Sequence, residues 1–225
     1  MRDSETYNGD QIDRGLLSLQ YITQLVECYQ EQHGLKVDGY CGPNTLSALE
    51  AENAPLAGVS NLAGAALQVA RESLGQGETG GNNSGPFVES LHLKKYDGDT
   101  DDDGAWCAAF VSWCYEQAAE RLDVEVPFLR SGGAKTLFKR VTAVGRSSLM
   151  STDDVDTVRA SVKPGDVVCW HRGDPTSWTG HIGFVERIEG DVIHTIEGNV
   201  GRYPSKVRRF RRDLAADSLI GFARV

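Results

Sequence analysis

The sequence predicts an α+β protein with a small all-α N-terminal domain, and two features of its hydrophobic pattern carry that prediction. From Leu16 through Tyr29, and again from Cys107 to about Arg121, apolar residues recur at helical spacing. From Val162 onward the period becomes that of strands, and two apolar runs meet at Glu189-Gly190-Asp191 as a β-hairpin. With 225 residues, 40% of them hydrophobic, the chain can build one ordinary domain and one small one. The expected division is a helical domain over residues 1–54, a linker over 55–65 and a larger domain over 66–225.

In chain order, residues 1 to about 10 are polar. Leu16, Leu17, Leu19, Ile22, Leu25, Val26 and Tyr29 then give an amphipathic helix that ends near Gly34, a residue able to take the left-handed conformation of a helix C-terminus. Val37-Asp38-Gly39 and Gly42-Pro43-Asn44-Thr45 read as tight turns before a short helix over Thr45 to Glu50. The run from Gly34 to Leu49, with its DG-x-x-GP-x-T core, resembles the repeat of the peptidoglycan-binding domain, a small three-helix module. That resemblance implies a cell-wall-binding role for the first fifty or so residues.

Pro55 and Gly58 interrupt a small, polar stretch, the basis for the linker. Leu62, Ala66, Leu67, Val69, Ala70 and Leu74 form the apolar face of a further helix, which Gly75 stops. Gly77 to Pro86 is rich in Gly and Asn and reads as a surface loop, followed by a helical turn or two from Phe87 to Leu93. Asp99, Asp101 and Asp103 follow the alternate-residue spacing of a calcium loop. The twelfth position is Phe110, so the closing bidentate carboxylate is missing and the expectation is a solvated acidic turn with no cofactor.

Cys107 stands at the start of the next helix. A helix N-terminus favours a thiolate, and its N–H groups can hold a tetrahedral oxyanion, so Cys107 reads as a nucleophile. Cys107, Phe110, Val111 and Cys114 also keep the spacing of a buried helix stripe, and this stretch alone leaves both readings open. Further on, Lys163-Pro164-Gly165-Asp166 is a turn, Val167 to Trp170 a strand, and His181–Ile188 and Val192–Glu197 the arms of the hairpin. A turn at Gly190 brings His181 near Glu197 and Asn199. His194 and Glu197 are three apart and point to opposite faces, so only one can share the face of His181.

Four segments, Ala105–Val111, Pro164–Val168, Gly180–Val185 and Thr195–Asn199, resemble in order the motifs of the CHAP family of cysteine amidohydrolases and peptidases. The resemblance implies a papain-like fold, helices packed on an antiparallel sheet, that cleaves amide bonds in peptidoglycan. It assigns Cys107 as nucleophile, His181 as general base and acid, Glu197 as the orienting carboxylate and Asn199 as an auxiliary polar group. Some members bind calcium in an acidic loop before the cysteine, but Ala109 stands where these can have a further acidic ligand. In the related NlpC/P60 peptidases a second histidine follows the base, a part open to His194. The Glu-Gly-Asn sequence favours the CHAP reading.

Composition narrows the partners. A net charge of −9 argues against nucleic-acid binding, and no apolar run is long enough for membrane insertion. Five irregularly spaced cysteines argue for reduced thiols. Arg202, Lys206, Arg208, Arg209, Arg211 and Arg212 form a basic cluster, either the wet face of an edge strand or a site for stem-peptide carboxylates. The expected partner is bacterial peptidoglycan, met as a monomer. Met1-Arg2-Asp3-Ser4-Glu5 lacks the apolar core of a secretory signal, so the expectation is synthesis in the cytoplasm and action on the wall after holin-type or secretion-apparatus release. The opposing reading is a non-catalytic wall-binding protein on a hydrolase scaffold.

Overall fold

The computed structural model describes residues 19–46, 48, 61–91, 104–145, 147–150 and 153–225. The chain divides into two compact units, Met1–Pro55 and Leu56–Val225. In the first, helix α1 (Leu19–Gln32) ends before Gly34, whose φ is +65°, and a helical turn follows at 43–46. Gln30 is 1% exposed and ties these pieces together. Its Nε2 donates to Asp38 Oδ1, the Tyr40 carbonyl and Thr45 Oγ1, all at 3.0 Å, while its Oε1 accepts from the Asp38 and Gly39 amides at 3.0 and 2.9 Å. A polar side chain can be buried here because both ends of its amide are satisfied. Residues 1–10, Leu16, Leu17 and most of the helix expected over Thr45 to Glu50 lie outside the described residues.

The second unit is α+β, with helices packed on an antiparallel sheet as a papain-like CHAP fold requires. Its helices are α2 (Asn61–Glu72), α3 (Pro86–Leu91), α4 (Cys107–Leu122), α5 (Ala134–Val144) and α6 (Val155–Ser161). Its strands are β1 (Ser147–Met150), β2 (Val167–His171), β3 (Gly180–Glu189), β4 (Val192–Val200), β5 (Lys206–Asp213) and β6 (Leu219–Arg224), in the spatial order β1-β6-β2-β3-β4-β5. Helix α2 begins inside the stretch 55–65 expected to be linker. Leu62 and Ala63 are buried, so the apolar residues there serve the core and the linker must end before Asn61.

Strand alternation sorts the sheet into two faces. Val167, Cys169, Ile182, Phe184 and Ile196 pack with Leu67, Phe110, Tyr115 and Leu137 of the helices. Val168, Trp170, Val185, Ile193 and Phe222 form a second core with Val158 of α6. The polar stretch 147–156, which carries no readable pattern, supplies an edge strand and the start of α6. Asp154 caps that helix by accepting from the Thr157 amide at 3.0 Å.

Candidate active site

Cys107 is the first residue of α4, and no side chain caps that helix end, so first-turn N–H groups remain for a ligand. The preceding Trp106 fixes the chain's entry. It is fully buried, meets Phe87 and Phe110 edge to face, and its Nε1 donates to Glu78 Oε1 at 3.2 Å. Glu78 also accepts from the Asn83 and Ser205 amides, at 3.0 and 2.6 Å. The loop from Gly77 to Pro86, expected to lie on the surface, therefore has a buried carboxylate at its centre. Composition marks the loop but not this anchor, because what buries Glu78 is a set of donors from distant parts of the chain.

His181 lies on β3 opposite Trp170 of β2, and the two rings stack at 5.9 Å between centroids. Its Nε2 donates to Glu197 Oε2 at 2.7 Å. Glu197 reaches it from β4 by crossing Gly183, where an added Cβ would lie 2.7 Å from Glu197 Cγ. The other ring nitrogen, Nδ1, is buried without a hydrogen-bond partner, and the Cys107 thiol acts on the same imidazole.

The electrostatics follow from these neighbours. Burial alone pushes the Cys107 thiol up, but the His181 imidazole, the charge of Arg172 and the Ile182 backbone outweigh it, and the thiol ends below its ordinary value. Cys114, on the same helix face, has no imidazole and is pushed well up by burial. Burial lowers His181, yet its contacts with Cys107 and Glu197 prevail and raise it from 6.5 to about 9. Burial likewise raises Glu197, and Arg212 with His181 reverses this, bringing it to about 2. A thiolate beside an imidazolium, backed by an ionised carboxylate, is the form these shifts favour.

Two residues of this arrangement were not foreseen. Arg212 grips Glu197 with both sides of its guanidinium: Nε donates to Oε1 at 2.9 Å and a terminal nitrogen donates to Oε2. That guanidinium sits over the rings of Trp170 and Phe210, 5.3 and 5.2 Å from their centroids. Thr195 Oγ1 also donates to Glu197 Oε1. Thr195 lies two residues from Glu197 on the same strand face, a signal that strand parity could have supplied. Arg212 belongs to the basic cluster, but a third strand brings it in.

Asn199 has a φ of +58°, where the β4–β5 register shifts, and no hydrogen bond joins its side chain to Cys107, His181 or Glu197. His194 faces away from the group and lies 3.2 Å from Glu189. The acidic loop with Asp99, Asp101 and Asp103 lies outside the described residues; among the described ones, no three His, Cys, Asp or Glu are placed to hold a metal ion. A cleft of about 430 Å3 opens beside His181, bordered by Trp170, His171, Arg172, Arg211 and Arg212.

Residues 99–199 match the family model of the CHAP domain. The CHAP match spans Cys107, His181, Glu197 and Asn199, and stops before β5 and Arg212. No curated protein matches the chain. Among solved structures it is similar to Ly7917, at 18% identity over 72% of this chain and 61% of that one, with a TM-score of 0.43. It is also similar to Ly7917 with the hydrolyzing product of MDP, at 17% identity over 72% and 62% of the respective chains, with a TM-score of 0.42. The chain thus spans less than two thirds of these neighbours.

Proposed function

We propose that the chain is a CHAP-type peptidoglycan hydrolase that cuts an amide bond, as an N-acetylmuramoyl-L-alanine amidase or a stem or cross-bridge endopeptidase. The observation that carries this reading is the continuous line from the thiol at a helix N-terminus through His181 to a buried, ionised Glu197. In the proposed mechanism the Cys107 thiolate attacks the amide carbonyl carbon, and first-turn N–H groups of α4 accommodate the oxyanion. The His181 imidazolium gives its proton to the departing amine as the C–N bond breaks, leaving a thioester. Neutral His181 then takes a proton from water, whose oxygen attacks the thioester. Collapse of that second tetrahedral species expels the thiolate and restores the ion pair. Glu197 stays ionised throughout and fixes the ring's orientation.

An NlpC/P60-type reading would use His194, but that residue contacts Glu189 and not His181 or Cys107. The N-terminal unit serves as the wall-binding module in this proposal. Its Gln30-centred turn borders a cleft of about 340 Å3 that includes Asp38, Tyr40 and Thr45. A lysin or a delivered lytic effector, working as a monomer on the wall after release from the cytoplasm, fits this combination.

Mass spectrometry of fragments released from purified peptidoglycan tests it. Wild type should release new fragments that name the bond, and Cys107→Ala should release none. Activity lost on adding a chelator would implicate the acidic loop. If wild type releases nothing while both proteins still sediment with the wall, the hydrolase reading fails and the binding-protein reading replaces it.

A further inference from the structure

The cleft beside His181 presents mainly hydrogen-bond donors and few acceptors. Arg172 and Arg211 border it, and neither has a carboxylate partner among the described residues. The other arginines nearby are committed, Arg209 to Glu186 and Arg212 to Glu197. Trp170, 5% exposed, contributes an indole Nε1 that is buried without a partner, and the neighbouring His171 has an equally orphaned Nδ1. An indole N–H and a guanidinium can only donate, and a buried donor left unpaired is destabilising until an acceptor reaches it. One carboxylate, Asp213, also borders the cleft, but its Oδ1 accepts from the Ala215 amide at 2.8 Å in the turn after β5. The charge of Arg172 is felt at Cys107, so what binds beside it lies close to the reacting centre.

We propose that this cleft is a subsite for a substrate carboxylate, borne by the peptide residue that adjoins the scissile amide, with Arg172 and Arg211 as its cationic walls and Trp170 Nε1 as a neutral donor. The inference rests on the hydrolase reading and adds a specificity to it: the enzyme selects stem peptides whose carboxylate there is free over those in which it is amidated. In an overall acidic protein, the guanidinium groups of Arg172 and Arg211, set against the single Asp213 carboxylate at this cleft, would turn general repulsion of an anionic wall into local attraction.

The test uses two synthetic stem-peptide substrates that differ only in a free carboxylate or a carboxamide at that residue. Wild type should cleave the acid form with a kcat/KM about tenfold higher, the size of one charge-assisted contact. Arg211→Gln should remove the preference by slowing cleavage of the acid form alone, and Arg172→Gln, whose charge also helps to lower the Cys107 thiol, should slow both forms but the acid form more. An unchanged preference, or an equal loss on both substrates, overturns the proposal. If wild type cuts neither peptide, the hydrolase reading fails separately. The subsite is then read by calorimetry of the acid peptide with Cys107→Ala: weaker binding on adding Arg172→Gln supports it, and equal binding overturns it.

Discussion

Glu186 and Glu197 sit on adjacent strands, both buried and both held by guanidinium groups. Glu186 is on the helical side, where Arg71 donates to it at 3.1 Å and Arg209 at 2.8 and 3.1 Å. Glu197 is on the other face, and Arg212 takes the place of one arginine while His181 takes the place of the second. Burial raises both carboxylates and their cations more than reverse it, so both fall below the ordinary value. What separates them is the second partner. An arginine pair cannot exchange a proton at working pH, whereas an imidazole can, and this one is coupled onward to a thiol. A buried carboxylate of depressed pKa is therefore not a sign of catalysis by itself; one that orients a titratable group is.

Replacing each carboxylate by its amide is the strongest way to break the comparison. Glu197→Gln leaves the ring without its ionised acceptor and should lower kcat by about a thousandfold. Glu186→Gln strands two guanidinium groups instead, and should cost about 3–5 kcal/mol of stability with kcat per folded molecule unchanged. Peptidoglycan turnover together with urea unfolding reads both. Equal kinetic losses would show that Glu197 is no more than a structural ion pair.

The arginines should differ in the same way by a smaller factor. Arg212→Gln removes the bidentate grip, so Glu197 can rotate or take up a proton, and kcat should fall by about ten- to a hundredfold. Arg209→Gln should leave kcat as it is, since Arg71 still holds Glu186. Alkylation of Cys107 as a function of pH distinguishes orientation of Glu197 from loss of substrate contact, because it needs no substrate. Its apparent pKa should rise in Arg212→Gln and stay put in Arg209→Gln.

The pH dependence sharpens the contrast without substitution. His181 is raised from 6.5 to about 9, so its stabilising contribution is complete below 6.5 and disappears as pH rises through about 9. Glu197 is lowered from 4.5 to about 2, so its contribution is complete above 4.5 and disappears as pH falls through about 2. Between these limits the ion pair holds, and kcat/KM should fall on the alkaline side near pH 9 as the imidazolium loses the proton meant for the leaving amine. The acid limb belongs to protonation of the Cys107 thiolate. An alkaline limb near pH 7 would contradict the assignment of His181.

The hairpin explains how much of this was legible in the sequence. His181 and Glu197 are joined by one tight turn, so counting residues to Gly190 brings them close, but strand parity counted from that turn would set Glu197 opposite Phe184 on the other face; the register shift between Val185 and Arg187 is what turns it toward His181. Arg212 could not be found by counting. It comes from β5, whose register against β4 shifts between Glu197 and Val200, and parity alone does not say which of Arg208, Arg209, Arg211 and Arg212 turns toward a buried acid. Arg209 and Arg212 in fact serve opposite faces. Glu78 was hidden for a different reason. The Gly and Asn around it are signs of irregular backbone, and irregular backbone is usually exposed, but here the loop closes over the start of α4 and its carboxylate replaces the missing secondary-structure partners of Ser205 and Asn83.

The smallest expected effect concerns Thr195, which the same parity rule places beside Glu197. Thr195→Val keeps the branched shape that suits a strand and deletes only the hydroxyl that donates to Glu197 Oε1. That oxygen still accepts from Arg212 Nε at 2.9 Å, so no acceptor is left empty. The loss should be about 1 kcal/mol of stability, with kcat within about threefold of wild type. A hundredfold fall in kcat at intact stability would move the orienting role from Arg212 to Thr195. The carboxylate would then be aimed by its own strand, and the guanidinium from β5 would serve only to neutralise it.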